Sequence, residues 1–328
     1  MQRILVLGCN SFSGSHFTKH VLDKNIKVIG VSRSKQMDIF LPYKKSKNLR
    51  NFKFFKYNLN NNIDKIIHLI KKYKIKYIAN FIAQGMVNES WKNPEDWYET
   101  NLLSPIKLVH EIKSKFKLKK FLQVSTPEVY GNIPNWTFEK NEFYPSTPYA
   151  ISRSAVDQHL FALFKNYKFP VCFSRASNVY GPGQQLYRIV PKTIIHCLKN
   201  KKIFLHGKGA SVRSFIYIED AVDAYFNILK NGKIGQTYHV STNSLYSVKQ
   251  AVKKIISKID LNKMKLIRNS KDRIGKDFSY KLSSKKIRKE LNWIEKNSFD
   301  KGLENTINWA LENFDAIRSL KTEYIHKS

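Results

Sequence analysis

The sequence predicts an α/β fold built on a doubly wound parallel sheet with a smaller C-terminal α/β substrate domain. Three observations carry this. Arg3–Leu7 is a short apolar strand that runs into Gly8-Cys9-Asn10-Ser11-Phe12-Ser13-Gly14 and then a helix from about Ser15 to Asp23. Strand and helix signals alternate through the first half of the chain. At 328 residues and 42% hydrophobic content, the chain can bury a large core in one or two domains.

The elements follow in order. Lys27–Ser32, Phe52–Tyr57, Lys76–Ile82, Lys120–Ser125 and Pro170–Arg175 read as strands, rich in β-branched and aromatic residues. Asp64–Tyr73, Asp96–Lys117 and Tyr149–Asn166 read as the helices between them. After Gly181-Pro182-Gly183 the pattern becomes irregular. Phe215–Tyr217 and Thr237–Val240 are further strands, separated by a helix over Asp220–Leu229. Ser247 is placed to cap an amphipathic helix, Val248–Ile259. Trp293 and Trp309 sit among apolar positions and read as core anchors rather than ligand stacks. Internal repeats and low-complexity segments are absent from the sequence.

The net charge of +33 invites a nucleic-acid reading. The lysines are spread along the whole chain among many Asn and Ile, so solvated faces explain them better than a specific nucleic-acid surface. Such a field still concentrates anionic substrates. No apolar run reaches transmembrane length, and a strand beginning at residue 3 leaves no room for a signal peptide. Cys9, Cys172 and Cys197 are far apart and lack metal spacing. A cytoplasmic protein without membrane contact is expected. His16 and His20 share a helix face, but no acid or thiol is near in sequence, so no metal is expected.

Strand, Gly-bearing loop and helix together are the context of a dinucleotide site. The loop brings backbone N–H groups and a helix N-terminus to a pyrophosphate, which makes Gly8, Asn10, Ser11, Phe12 and Gly14 cofactor candidates. Ser11 stands where the middle glycine is usual; the competing reading is an ordinary tight turn. The second strand ends in Gly30-Val31-Ser32-Arg33-Ser34, with no carboxylate for a ribose 2′-hydroxyl. Ser32, Arg33 and Ser34 suit a 2′-phosphate instead, which favours NADP over NAD. The competing reading is a surface loop in an NAD enzyme.

Ser125-Thr126-Pro127-Glu128-Val129-Tyr130-Gly131 and Tyr149-Ala150-Ile151-Ser152-Arg153 carry the chemistry. A cation four residues after a Tyr shares its helix face and favours phenolate, so Tyr149 is expected to take a proton near neutral pH. Thr126 can bond the same substrate hydroxyl, and Glu128 can reach a neighbouring carbon acid. This set suits hydride chemistry on a sugar beside a nicotinamide.

Taken together these residues resemble the extended short-chain dehydrogenase/reductase superfamily, in particular the nucleotide-sugar 4,6-dehydratases of the dTDP-glucose and GDP-mannose kinds. Ile82-Ala83-Gln84 with Asn101, Thr126 with Glu128, Tyr149, and Asn178-Val179-Tyr180-Gly181-Pro182 carry the likeness. His206-Gly207-Lys208-Gly209, Arg213, Asp220 and the run from Asp272 to Asp277 continue it in order. The resemblance implies a Rossmann domain over residues 1–182 and 213–243, and a substrate domain over 183–212 and 244–328. It implies Tyr149 as the base for oxidation at carbon 4, with Thr126 orienting, Glu128 as the base at carbon 5, and Arg153 beside the cofactor. Ile82, Ala83, Asn58 and Leu59 line the cofactor by the same likeness. Gln84 and Met86 take the sugar pocket, Asn178, Arg213 and Arg273 the diphosphate of a nucleotide hexose, and Tyr187-Arg188-Ile189-Val190-Pro191 the segment along the nucleotide base.

Two departures stand out. Arg153 replaces the usual Lys; it keeps its charge but cannot relay protons. The competing reading is an exposed helix cation beside a dead site. Pro127 replaces the Asp that many dTDP-glucose dehydratases use as an acid, and proline has no side-chain proton to give. Dehydration then rests on Glu128; otherwise the chain is an oxidoreductase or epimerase working through a 4-keto sugar. The resemblance also implies a homodimer through Asp96–Lys117 and Tyr149–Asn166. Leu102, Ile106, Leu160, Leu163 and Phe164 are the candidates for its face, the competing reading being intrachain core, and Asp at Leu160 and Phe164 is expected to give monomers.

Overall fold

The computed structural model describes residues 2–271 and 279–326. Its centre is a seven-stranded sheet, parallel throughout. We label the first five strands β1 (Arg3–Leu7), β2 (Lys27–Ser32), β3 (Phe52–Lys56), β4 (Tyr77–Asn80) and β5 (Lys120–Ser125). The spatial order is Thr237–Val240, Val171–Ala176, β5, β4, β1, β2, β3. The chain runs outward from β1 to β3 and then restarts at β4 on the other side of β1. That reversal opens a crevice at the carboxyl ends of β1 and β4, where this class of sheet binds ligands.

Alternation along the strands divides the core. Ile4 and Val6 face a cluster with the helices Phe12–Asp23 and Ile218–Asn231. Leu5 and Leu7 face the opposite cluster, with Ile63–Lys72, Ser104–Lys115 and Pro148–Tyr167. Both faces of a parallel sheet are covered, which is why its strands read as continuous apolar runs. The first cluster continues into Val190, Ile194, Leu303 and Ile307 of the second half. Trp293 is buried there and donates to the Asp220 carbonyl at 3.2 Å, while Trp309 packs on Phe40.

Several boundaries move for local reasons. The helix expected from Tyr149 begins at Pro148, because Thr147 caps it by accepting from Ala150 N and proline suits the first helical position. Ser247 caps Val248–Ile259 and forms a reciprocal capping box with Gln250. The helix expected over Asp96–Lys117 runs from Pro94 to Lys115 and carries a π-helical turn, Glu99–Leu103, within it. Phe215–Tyr217 belongs to a longer strand, Val212–Tyr217, outside the main sheet. It pairs in parallel with Asn178–Tyr180 and antiparallel with Leu245–Ser247.

The expected association face needs correction. Leu160 and Leu163 are only 1% and 4% exposed and belong to the intrachain core. Phe164 packs on the same core and lies over Gly235. Asp at Leu160 would therefore test folding, not association. The outward face of these helices carries Leu103, His110, Ile151, Gln158 and Ala162, with Ile106, Ala155 and His159 half-buried beside them. His110 and His159 meet there, Nε2 to Nε2, at 3.1 Å.

Candidate active site

The loop after β1 is built for close approach. Gly8 has φ of 79°, and a Cβ there would lie 3.0 Å from the Phe81 backbone. A Cβ on Gly14 would collide with the Gly8 carbonyl oxygen. Ser11, in place of the middle glycine, is the N-cap of Phe12–Asp23: its hydroxyl donates to Gly8 O at 2.7 Å and accepts from Gly14 N at 3.1 Å. The helix thus presents its positive end at the crevice, backed by a turn with no side chain in the way. This cradle fits the pyrophosphate of a dinucleotide.

Asn10 ties the cradle to the end of β2. Its N–H donates to Ser32 Oγ at 3.0 Å, its amide donates to the Ser34 carbonyl at 2.8 Å, and its amide oxygen accepts from Tyr43 at 2.8 Å. Arg33 follows Ser32 at the crevice rim, half-exposed. Asn58 organises its own turn, its oxygen accepting from Asn60 N at 3.2 Å, and Leu59 is core. Ile82 and Ala83 follow β4, with Ile82 N donating to Asn80 Oδ1 at 3.1 Å.

Thr126, Glu128 and Tyr149 converge. Thr126 caps the short turn Pro127–Tyr130 at the end of β5, its hydroxyl accepting from Glu128 N at 3.3 Å. The same hydroxyl hydrogen-bonds the phenol of Tyr149, a half-buried residue, and the Glu128 carboxylate acts on that phenol electrostatically. Burial, then Glu128, hold the Tyr149 pKa above its ordinary value against the lowering pull of Arg153, Thr126 and Arg188. The expectation of ready phenolate near neutral pH is therefore not met in the ligand-free chain. The physical reason is that burial and the Glu128 carboxylate together outweigh the guanidinium of Arg153. Arg153 is 2% exposed and donates to the carbonyls of Val124 and, at 3.5 Å, of Ile82. It is no exposed helix cation.

Gln84 is 4% exposed, and its backbone is held on both sides by Asn101: Gln84 N donates to Oδ1 at 2.8 Å and Nδ2 donates to the carbonyl at 3.1 Å. Asn101 Nδ2 also reaches Ser152 Oγ at 3.0 Å. The π turn puts Asn101 there, in keeping with the use of π-bulges at functional sites. Arg188, expected along a nucleotide base, also reaches the loop after β4. Its guanidinium donates to Gly85 O at 3.1 Å and so stands over the sugar pocket beside half-buried Met86. Arg213 is 9% exposed, donates to Val212 O at 2.7 Å and covers the Tyr280 ring at 4.3 Å. Its strand pairs with Asn178 through Phe215. Arg273 lies outside the described residues.

Sequence reasoning missed two supports. Ser90 accepts from the backbone N–H of Tyr149 at 3.2 Å, a contact across the crevice with no local signal. Arg175 and Asp157 form a buried ion pair at 3.0 Å behind the site. Asp157 accepts from Ser125 Oγ at 2.6 Å; Arg175 donates to Tyr130 OH at 2.5 Å, and that phenol meets His239 Nε2 at 2.8 Å. Burial, then Arg175, push His239 down to about 3, so it is neutral and accepts. A charge inside the apolar strand Val171–Ala176 was the available signal. His16, also held neutral by burial, meets the Pro182 carbonyl at 2.8 Å. Among the described residues no group of three His, Cys, Asp or Glu is placed to hold a metal, and no helix is long and apolar enough to cross a membrane.

A family model described as GDP-mannose 4,6 dehydratase matches residues 5–306. The chain belongs to this family. Within it, the chain is 32% identical over 322 residues to the dTDP-D-glucose 4,6-dehydratase of Homo sapiens, covering 95% of this chain and 91% of that protein. The solved dTDP-glucose 4,6-dehydratase DesIV of Streptomyces venezuelae, with NAD and TYD bound, superposes with a TM-score of 0.89 at 25% identity, over 98% of this chain and 100% of that one. A Bacillus anthracis dTDP-glucose 4,6-dehydratase in complex with NAD gives 0.87 at 28% identity, over 98% of this chain and 100% of that chain. The dehydratase relatives thus cover both the cradle and the Thr126–Glu128–Tyr149 cluster.

Proposed function

We propose that the chain is an NAD(P)-dependent nucleotide-sugar 4,6-dehydratase, oxidising carbon 4, removing water across carbons 5 and 6, and reducing carbon 6. The observation that carries this reading is the convergence of Thr126 and Glu128 on the phenol of Tyr149, in a chain whose β1 loop forms a dinucleotide cradle. A bound nicotinamide supplies the hydride acceptor and donor. Gly8, Asn10, Ser11, Phe12 and Gly14 would hold its pyrophosphate. Tyr149 takes the proton of the 4-hydroxyl, and Thr126 orients that hydroxyl. Glu128 takes the proton from carbon 5, acidified by the new ketone, and gives it to the departing 6-hydroxyl as water. Pro127 leaves Glu128 to do both. When hydride returns to carbon 6, carbon 5 takes a proton from solvent through Glu128. Arg213 and Asn178 meet the diphosphate, and Arg188 with Gln84 the sugar.

The test is incubation with a panel of nucleotide hexoses in deuterated water, followed by mass spectrometry and NMR. Loss of water with one deuterium at carbon 5 is expected. Exchange or oxidation without water loss would install the second reading, a 4-keto oxidoreductase or epimerase, which the missing acid at Pro127 favours.

The end of β2 carries no carboxylate, which favours NADP over NAD. Removing a charge-assisted contact by Arg33→Ala should weaken NADP binding by about ten- to a hundredfold and leave NAD nearly unchanged. A native chain that binds NAD more tightly than NADP would end that preference. A homodimer would form through the outward face of the helices Ser104–Lys115 and Pro148–Tyr167, where half-buried Ala155 and exposed Ala162 allow close approach. Ala155→Glu should give monomers by sedimentation; an unaltered dimer would move the interface elsewhere.

A further inference from the structure

The last described residues are not a loose end. They run backward along the helix Ile189–Leu198. Lys199 donates to Arg318 O at 2.6 Å, His196 meets Thr322 Oγ1 at 3.1 Å, and Lys192 lies 4.0 Å from Glu323. Just before the helix, Tyr187 meets the Tyr324 ring edge-on at 5.2 Å. The segment then leaves that half of the molecule. His326 bonds Asp96 at 2.5 Å and stacks on Trp97 with centroids 5.1 Å apart and planes 10° from parallel. Trp97 is fully buried, so the far anchor is a fixed point of the framework.

The two anchors belong to elements far apart in the chain. Asp96 and Trp97 follow the sugar-pocket loop after β4, whereas the helix Ile189–Leu198 follows Arg188. Between the anchors, Tyr324 is half-buried and lies within electrostatic reach of Arg33 at the end of β2, and of Glu89 and Arg188 at the sugar pocket. Tyr324 thus lies between the end of β2 and the sugar pocket, within electrostatic reach of both. It also lies beyond residue 306, where the match to the family ends.

We propose that residues 318–326 form a strap that retains the dinucleotide, with Tyr324 covering the adenosine side and His326 as the latch. This rests on the dinucleotide site proposed above. A reaction that returns its hydride within each turnover has no need to exchange the cofactor, whereas the nucleotide sugar must enter and leave each time. A strap that passes within reach of Arg33 serves that asymmetry.

The test is the release rate of NADH or NADPH from the preloaded full chain, chased with excess oxidised dinucleotide and followed by nicotinamide fluorescence. The variants are His326→Ala, Tyr324→Ala and a chain ending at Lys321. Each is expected to release the dinucleotide at least about tenfold faster, as changes confined to retention act on dissociation, with dTDP release unchanged. Circular dichroism and melting check that each variant is folded; the point variants decide the matter if the shortened chain is not. Release within twofold of the native rate for both point variants would overturn the strap. Faster release of dTDP alone would overturn it too, making the segment a substrate gate. A native chain that binds neither NADH nor NADPH would sink the dinucleotide site itself, a separate result.

Discussion

Replacing Tyr149 by Phe is expected to lower the rate of oxidation at carbon 4 by about a hundred- to ten-thousandfold, the range that a positioned acid–base group supplies. The ring keeps its place, and only the phenol oxygen bonded to Thr126 is lost. The pH dependence adds a second signature. Burial and Glu128 raise the phenol above its ordinary value in the free chain, so phenolate is the minor form at neutral pH. The reactive form then grows as pH rises, and kcat/KM should climb through the alkaline range in the native chain. Phe at this position should flatten that climb. Rapid-mixing absorbance of the reduced nicotinamide reads both effects. A variant that oxidises substrate within tenfold of the native rate would remove Tyr149 from the reaction.

Glu128→Gln should separate the two halves of the chemistry. The amide occupies the same space but cannot take a proton from carbon 5. Elimination should fall by about a hundred- to ten-thousandfold, while oxidation at carbon 4 persists, so reduced dinucleotide and a 4-keto hexose accumulate. Deuterium incorporation at carbon 5 should vanish with the water loss. The same change removes one of the two influences that raise the Tyr149 phenol. Its pKa should fall, and the alkaline rise of the oxidation step should move to lower pH. Equal loss of oxidation and elimination would mean that Glu128 only shapes the loop. Native rates of dehydration would exclude it as the base.

The sequence by itself determined the parts whose residue types are forced locally. Gly8 and Gly14 are legible because a Cβ at either would strike the backbone beside it. The strands of the main sheet are legible because burial on both faces demands runs such as Ile4–Leu7. Ser247 is legible because a cap acts three residues away. Thr126, Glu128 and Tyr149 could be paired by their spacing and by resemblance.

Tertiary structure alone decided what depends on partners far along the chain. The helix expected over Asp96–Lys117 carries a π turn where Asn101 bonds both Gln84 and Ser152. Leu160 turns inward because the sheet lies behind it, although helical spacing fits either side equally. Tyr149 is less acidic than its neighbour Arg153 suggested, since burial and the Glu128 carboxylate, which only the assembled site brings to the phenol, outweigh the guanidinium. Tyr324 and His326 meet Tyr187, Asp96 and Trp97, all far away in the chain. Local sequence sets backbone sterics and periodicity; it carries no record of which distant side chain opposes a charge, fills a face or anchors a strap.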